Sequence, residues 1–229
     1  TVYDPARAKE ELARGGYQPV WDAKGNLLET RDKDGKRVPT LYVKCPTGWT
    51  DWEAAVRIAV NGMRAVGIDA RERFIDGSLH SPSVFGGDFD LIMYTPSPNQ
   101  APSKPWSRFD AVLSTQDFLP PGQKMYKNFG RFNDPKSPGY IPRFDELMRL
   151  IPTLSEPEAL ARAYRELNVL FMQEQPALPL VYRPDQFYQF SVRHWQGFPT
   201  ANDPYLPPYI PGSRMGTRIL WSLTPTEGS

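Results

Sequence analysis

The hydrophobic pattern changes period twice between Thr40 and Ile75, and the rest of the chain is arranged around this stretch, TLYVKCPTGWTDWEAAVRIAVNGMRAVGIDARERFI. Leu41 to Cys45 is a short run with β-branched and aromatic residues, closed by Pro46, which is a strand signal. Thr50 and Glu53 stand as an S/T-x-x-E capping box, so the spacing predicts a helix from about Asp51. Trp52, Val56, Ala59, Val60 and Met63 recur at steps of three and four and share one face of that helix. Gly67 stands just past the last apolar residue, where a helix stop needs positive φ. Ile68 to Ile75 then reads as a second strand. Strand, helix and strand with short joints make a βαβ unit, whose crossover is almost always right-handed. The loop Pro46 to Thr50 therefore falls at the carboxyl edge of a parallel sheet, where open α/β sheets bind ligands. That loop carries Trp49.

Upstream, Asp4 and Pro5 open a helix that Gly15-Gly16 closes. Leu27-Leu28 and the stretch around Val38 are expected to pair as a small hairpin. Downstream, Ser78 to Phe85 reads as one helical turn or a loop. Asp88 to Tyr94 reads as a third strand, and a short helix near Ser103 puts Trp106, Phe109 and Leu113 on one side. Ser114 to Pro142 reads as loop and Phe144 to Ile151 as helix. A second capping box, Ser155 with Glu158, starts the longest helix, which runs to about Gln175 with Leu160, Tyr164, Leu167 and Phe171 as its apolar stripe. Leu178 to Tyr182, Phe187 to Val192 and Arg218 to Leu223 read as strands. The whole predicts about five strands in one mixed, mostly parallel sheet flanked by helices, an α/β fold. Residues 1–198 read as the α/β lobe and 199–229, rich in proline, as a tail poorly packed on it.

Composition changes this picture little. The chain has 229 residues, 40% hydrophobic and 23% charged, with a net charge of +1. That supports a packed core and gives neither nucleic acid nor a membrane surface a basic stripe to meet. With 25 prolines, much of the chain is shaped loop. Cys45 is the single cysteine, which excludes a disulfide within the chain and a cysteine-based metal site. No apolar run reaches membrane-span length and no signal-peptide pattern stands at the start. The opening TVYDPARAKEELARGG is what a fragment of a longer chain would show.

Catalytic signatures are absent: no G-x-S-x-G, no H-E-x-x-H and no phosphate-binding glycine loop. His80 and His194 are too isolated for a metal site, and no cofactor is implied. The aromatics carry more. Trp49, Trp106 and Trp195, with Tyr94, fall just after predicted strands or in proline-shaped loops. Trp52 and Trp221 belong to helix and strand faces and read as core. A loop tryptophan either packs or offers a flat face to a ligand, and for Trp49 and Trp106 both readings stand. Asp51, Asn99, Gln100, Asn128 and Arg131 are polar candidates beside them.

Several segments together carry a family resemblance: YDPARAKEELARGGY, GWTDWEAAVRIAVNGMRAVGI, GDFDLIMYT, AYRELNVLFMQEQPALPLVYRPDQFYQFS, WQGFPTANDPY and RILWSLTP. In their order and spacing the chain resembles the carboxyl-terminal portion of the family 5 extracellular solute-binding proteins. These are the binding subunits of ABC importers for oligopeptides, nickel complexes and some oligosaccharides. The resemblance implies a type II periplasmic-binding-protein-like lobe, the one called domain III. It implies a partner lobe that this chain lacks, a membrane permease as partner, and an extracytoplasmic location, periplasmic or lipid-anchored.

In peptide-binding members an Asp after the GDFDL-like strand meets the peptide's amino terminus. Here that place reads YTPSPNQAPSKPW, without an Asp. A buried amine without a carboxylate is costly, so the resemblance implies a neutral oligosaccharide ahead of a free peptide. A different class, a glycan hydrolase, would need a carboxylate pair such as Asp51 with Asp88 or Asp90.

Overall fold

The Thr40–Ile75 pattern folds as its spacing predicts. The computed structural model describes residues 3–95, 105–180, 191–200, 202–203 and 218–226. They fall in two compact units, 1–178 and 179–229. The first unit opens with α1 (Pro5–Arg14), whose amino end is capped by the Asp4 carboxylate accepting from Arg7 N–H. Strands β1 (Gln18–Trp21) and β2 (Leu27–Arg31) follow as an antiparallel hairpin. The expected partner of Leu27-Leu28 was the Val38 stretch. That stretch adds only the Arg31–Arg37 bridge and a Val38 N–H bond to Thr30 O, because the turn at Gly25 brings Gln18–Trp21 alongside first.

Strand β3 (Leu41–Pro46), helix α2 (Thr50–Val66) and strand β4 (Ala70–Ile75) form the βαβ unit, with β3 and β4 parallel in unbroken register. Val43 and Cys45 alternate to one face of β3. There they meet Trp52, Val56 and Val60 of α2 and Ala70 of β4 in a buried cluster. Burial pushes the Cys45 thiol up to about 11, so it is an inert packing residue. Helix α2 ends in a Schellman pattern, with Ile68 N–H bonded to Met63 O and Gly67 N–H to Arg64 O. Gly67 has φ 105°, and a Cβ there would stand 2.8 Å from Pro19 Cβ. Gly67→Ala is therefore expected to cost about 1–3 kcal/mol, read as a lowered denaturation midpoint. A midpoint equal to wild type would show that β1 is free to move away.

The next segment departs from expectation. Gly77–Gly86 is a full helix, α3, capped by the Asp76 carboxylate accepting from Ser78 N–H at 2.8 Å. Pro82 inside it hid the pattern. Strand β5 is only Leu91–Ile92, parallel to β3. Asp90 does not extend it, because its side-chain Oδ2 takes the ladder position and accepts from Tyr42 N–H at 2.9 Å. The sheet order is β4-β3-β5, three strands where about five were expected among the described residues. The chain leaves β3 toward β4 and then crosses back over it to β5. With right-handed crossovers this puts α2 and α3 on opposite faces, and the point where the direction reverses lies between the carboxyl ends of β3 and β5.

A second core is all-helical. Helices α4 (Trp106–Leu113), α5 (Pro142–Leu150) and α6 (Pro157–Glu174), with a 3-10 turn Ile151–Thr153, bury Leu113, Phe144, Leu147, Ile151 and Leu167 together. The cap of α6 is Glu156, whose carboxylate accepts from Glu158 and Ala159 N–H, and not Ser155. Pro157 at the first helical position sets the boundary one residue later than the box implies.

In the second unit, β6 (Trp195–Gln196) pairs antiparallel with β7 (Thr224–Pro225). The expected strand 218–223 is a helical turn at 218–220 that leads into β7. Trp221, expected in a core, is 83% exposed, since the turn points it outward. Leu178 to Leu180 and residues 191–192 are in no strand, and the rest of the strands expected over Leu178 to Tyr182 and Phe187 to Val192, with most of the tail, falls outside the described residues.

Candidate functional site

The reversal point between β3 and β5 is occupied by rings. Gly48, with φ 84°, turns the chain after β3 so that its N–H reaches the Glu53 carboxylate at 2.7 Å. The capping-box glutamate thus grips two residues earlier than the Thr50 N–H that the box implies. Trp49, not Thr50, sits at the helix cap, and its side chain is 46% exposed. The Trp49 ring meets Trp52 edge-on at 4.8 Å and His80 of α3 at 6.1 Å. His80 in turn faces Tyr94, just past β5, at 6.0 Å. Tyr94 meets Phe129 edge-on at 5.0 Å, Phe129 meets Phe85 at 5.6 Å, and Phe85 meets Tyr126 at 5.1 Å. The rings form a continuous row from the β3 edge to the loop after α4.

His80 is the organiser that sequence reasoning left as an isolated histidine. It is buried, and Nε2 lies 2.9 Å from Met93 O. A carbonyl only accepts, so Nε2 carries the proton. Met93 N–H is itself bonded to Lys44 O, which ties the row to the central strand. The readable signal was the D-x-S opening of α3, which places His80 one turn into a helix.

The other candidates separate into groups. Asp51 is exposed in the first turn of α2, beside Trp49. Asn99 and Gln100 lie outside the described residues. Trp106 packs on the helical core and donates its indole N–H to Met148 O at 3.1 Å. Asn128 is buried and closes its own loop, with Oδ1 accepting from Phe132 N–H and Nδ2 donating to Phe132 O. Arg131 donates to Phe129 O, Phe85 O and Gln123 O, each at 2.7 Å. Its Nε is buried without a partner, and burial lowers its pKa. Trp195 is 48% exposed on β6, in the second unit.

Asp51 and Asp90 do not converge. Asp88 pairs with the buried Lys44 at 2.9 Å, and Asp90 is bonded to Tyr42 N–H. Tyr42 lies four residues before the end of β3, about 13 Å at strand rise, while Asp51 lies beyond that end. A glycosidase pair stands no more than about 9.5 Å apart. Among the described residues no three His, Cys, Asp or Glu side chains gather as a metal site.

The Lys44 hydrogen bond holds the Asp88 carboxyl below its ordinary value of 3.8. A lowered folded-state pKa adds stability above the unfolded value, and that stability is lost as pH falls through the folded one. Asp88→Asn is therefore expected to lower the melting temperature at pH 7. The gap to wild type should close as pH falls below the ordinary carboxyl value of 3.8 and through the lowered folded-state one. A gap unchanged with pH would mean that the charge contributes nothing.

No protein-family model and no curated protein matches the chain. Solved structures do. A periplasmic oligopeptide-binding protein of an ABC transporter from Thermotoga maritima, solved with mannohexaose bound, aligns with TM-score 0.81 at 24% identity, over 98% of this chain and 40% of its own. The oligopeptide-binding protein AppA of Bacillus subtilis, in complex with a nonapeptide, aligns at 0.53 and 21% identity, over 76% of this chain and 30% of its own. The periplasmic binding protein MelB of Agrobacterium fabrum, in complex with stachyose, aligns at 0.54 and 15%, over 76% and 25%. The chain has the fold of part of an ABC-transporter periplasmic binding protein, and it spans about 40% of the Thermotoga chain. These are the proteins that the sequence segments resemble. Among the described residues no helix is long and apolar enough to cross a membrane.

Proposed function

We propose that this chain is one lobe of the substrate-binding subunit of an ABC importer, and that it holds a neutral oligosaccharide against a second lobe without changing it. The observation that carries this reading is the half-exposed Trp49 at the carboxyl edge of β3, backed by Trp52, His80 and Tyr94. A sugar ring presents flat C–H faces that stack on such rings. Trp49, Tyr94 and Asp51 form the ligand wall, with Asn99 and Gln100, which follow Tyr94 in the sequence, as further ligand groups. Trp106 packs in the helical core, and Asn128 and Arg131 are spent on fastening their own loop, so none of the three meets the ligand. Residues 199–229 return to the other lobe, which closes over the ligand. The permease is the macromolecular partner, and the site of action is extracytoplasmic. The bound mannohexaose and stachyose of the solved relatives support a sugar, and the separation of Asp51 from Asp90 supports capture over hydrolysis.

Calorimetric titration of the intact protein with neutral oligosaccharides and with free peptides tests this, followed by chromatography of the sugar. Saturable sugar binding with the sugar recovered whole is expected. Tight binding of peptides alone would make the protein a peptide receptor, and shortened sugar would make it a hydrolase.

A further inference from the structure

The aromatic row does not stop at the sheet edge. Its far member, Tyr126, is 71% exposed, with its ring against Phe85. A single exposed aromatic is ordinary on a protein surface. The backbone of Tyr126, however, is fastened on both sides. Gly122 N–H donates to Gly86 O at 2.7 Å, Met125 N–H to Phe85 O at 3.0 Å, and Asn128 N–H to Ala111 O at 2.7 Å. Met125 is buried directly before it. Arg131 then joins Gln123 O and Phe129 O of this loop to Phe85 O of α3. Gly87 leaves room for that guanidinium, since a Cβ there would stand 2.9 Å from Arg131 Cζ. The loop is thus stitched to the end of α3, and Tyr126 offers a ring that loses little freedom on binding.

We propose that Tyr126 is a second stacking face of the site that begins at Trp49, and that Arg131 is its positioning residue. The ligand is then a neutral oligosaccharide long enough to span both rings. The proposal rests on the reading of Trp49 as a ligand wall. The rings of His80, Tyr94, Phe129 and Phe85 stand between the two faces, so a disaccharide on Trp49 leaves Tyr126 bare. Arg131 is engaged by three carbonyls and Lys127 by the Asp110 carboxylate, so neither is on offer to an anionic ligand.

The test is calorimetry on the intact protein with manno-, gluco- and galacto-oligosaccharides of two and of six units. Tyr126→Ala is expected to weaken six-unit binding about tenfold, within the range of ring stacking, and to leave two-unit binding unchanged. Tyr126→Phe should restore wild-type affinity. Trp49→Ala should weaken both lengths. Arg131→Ala should copy the length dependence of Tyr126→Ala, with Arg131→Lys between it and wild type. Wild-type affinity of Tyr126→Ala for six units, beside a loss in Trp49→Ala, would overturn the second face and leave the first reading standing. Equal loss at both lengths in Tyr126→Ala would overturn the spanning geometry. Wild-type behaviour of Arg131→Ala would remove Arg131 from the positioning role. Absence of any effect from Trp49→Ala would overturn the reading on which the proposal rests.

Discussion

Phe144→Ala is expected to lower the unfolding free energy by about 3–5 kcal/mol, the range for removing a fully buried aromatic ring. Phe144 is 0% exposed, and so are Leu113, Leu147 and Leu167 around it. Its ring stands perpendicular to Phe132 at 5.2 Å, a contact that adds about 1 kcal/mol beyond area burial. The site is closed by α4, α5 and α6 together, and no single helix can shift to fill the hole. The cost therefore includes the cavity as well as the lost transfer energy. Chemical denaturation gives the value. A loss under about 1 kcal/mol would mean that the three helices collapse inward, and that this core is looser than its burial implies.

The sequence showed the βαβ unit to within two residues because three independent signals agreed there: apolar spacing, a capping glutamate and a terminal glycine. Elsewhere one signal was masked by another. Helix α3 was hidden by Pro82 and by glycines at both ends, although Asp76 and Ser78 form an ordinary cap. Asp90 looked like part of a strand because apolar residues follow it. Its carboxylate satisfies Tyr42 N–H in place of backbone, a substitution that composition does not reveal. The hairpin partner of β2 was settled by the turn at Gly25, where two apolar stretches competed.

The site was legible by position more than by partners. Trp49 and Tyr94 were placed correctly at the ends of two strands, because ligand sites in open α/β sheets follow strand ends. That His80 stands between them, and that Phe85 and Phe129 carry the row onward, depends on contacts across long sequence gaps. Arg131 and Asn128 looked like ligand groups because polar residues in loops often are. Their hydrogen bonds are spent on loop carbonyls and amides, the need of a long segment without regular structure.

Trp49 and Trp106 looked alike in the sequence, and they are expected to fail in opposite ways when replaced by alanine. Trp49 is 46% exposed at the cap of α2, and its inner edge rests on Trp52. Removing it uncovers little core, so stability should fall by less than about 1 kcal/mol, as for ordinary surface changes. Oligosaccharide affinity of the intact protein should fall about tenfold or more, the loss of one stacking face. Trp106 is packed against the helical core that buries Leu113, Phe144 and Leu167, and it donates to Met148 O. Its loss leaves a cavity and an unpaired carbonyl, so stability should fall by about 3 kcal/mol. Affinity, measured well below the melting temperature, should stay within about twofold of wild type, because the ring spans α4 and α5 and not the sheet edge. Calorimetry and denaturation on the same two variants give all four values. Should Trp106→Ala lose affinity at unchanged stability, the helical core would be part of the cleft, and the ligand wall would have to be redrawn from α4. Should Trp49→Ala lose stability instead, its ring would be a packing residue that closes the top of the sheet core over Trp52.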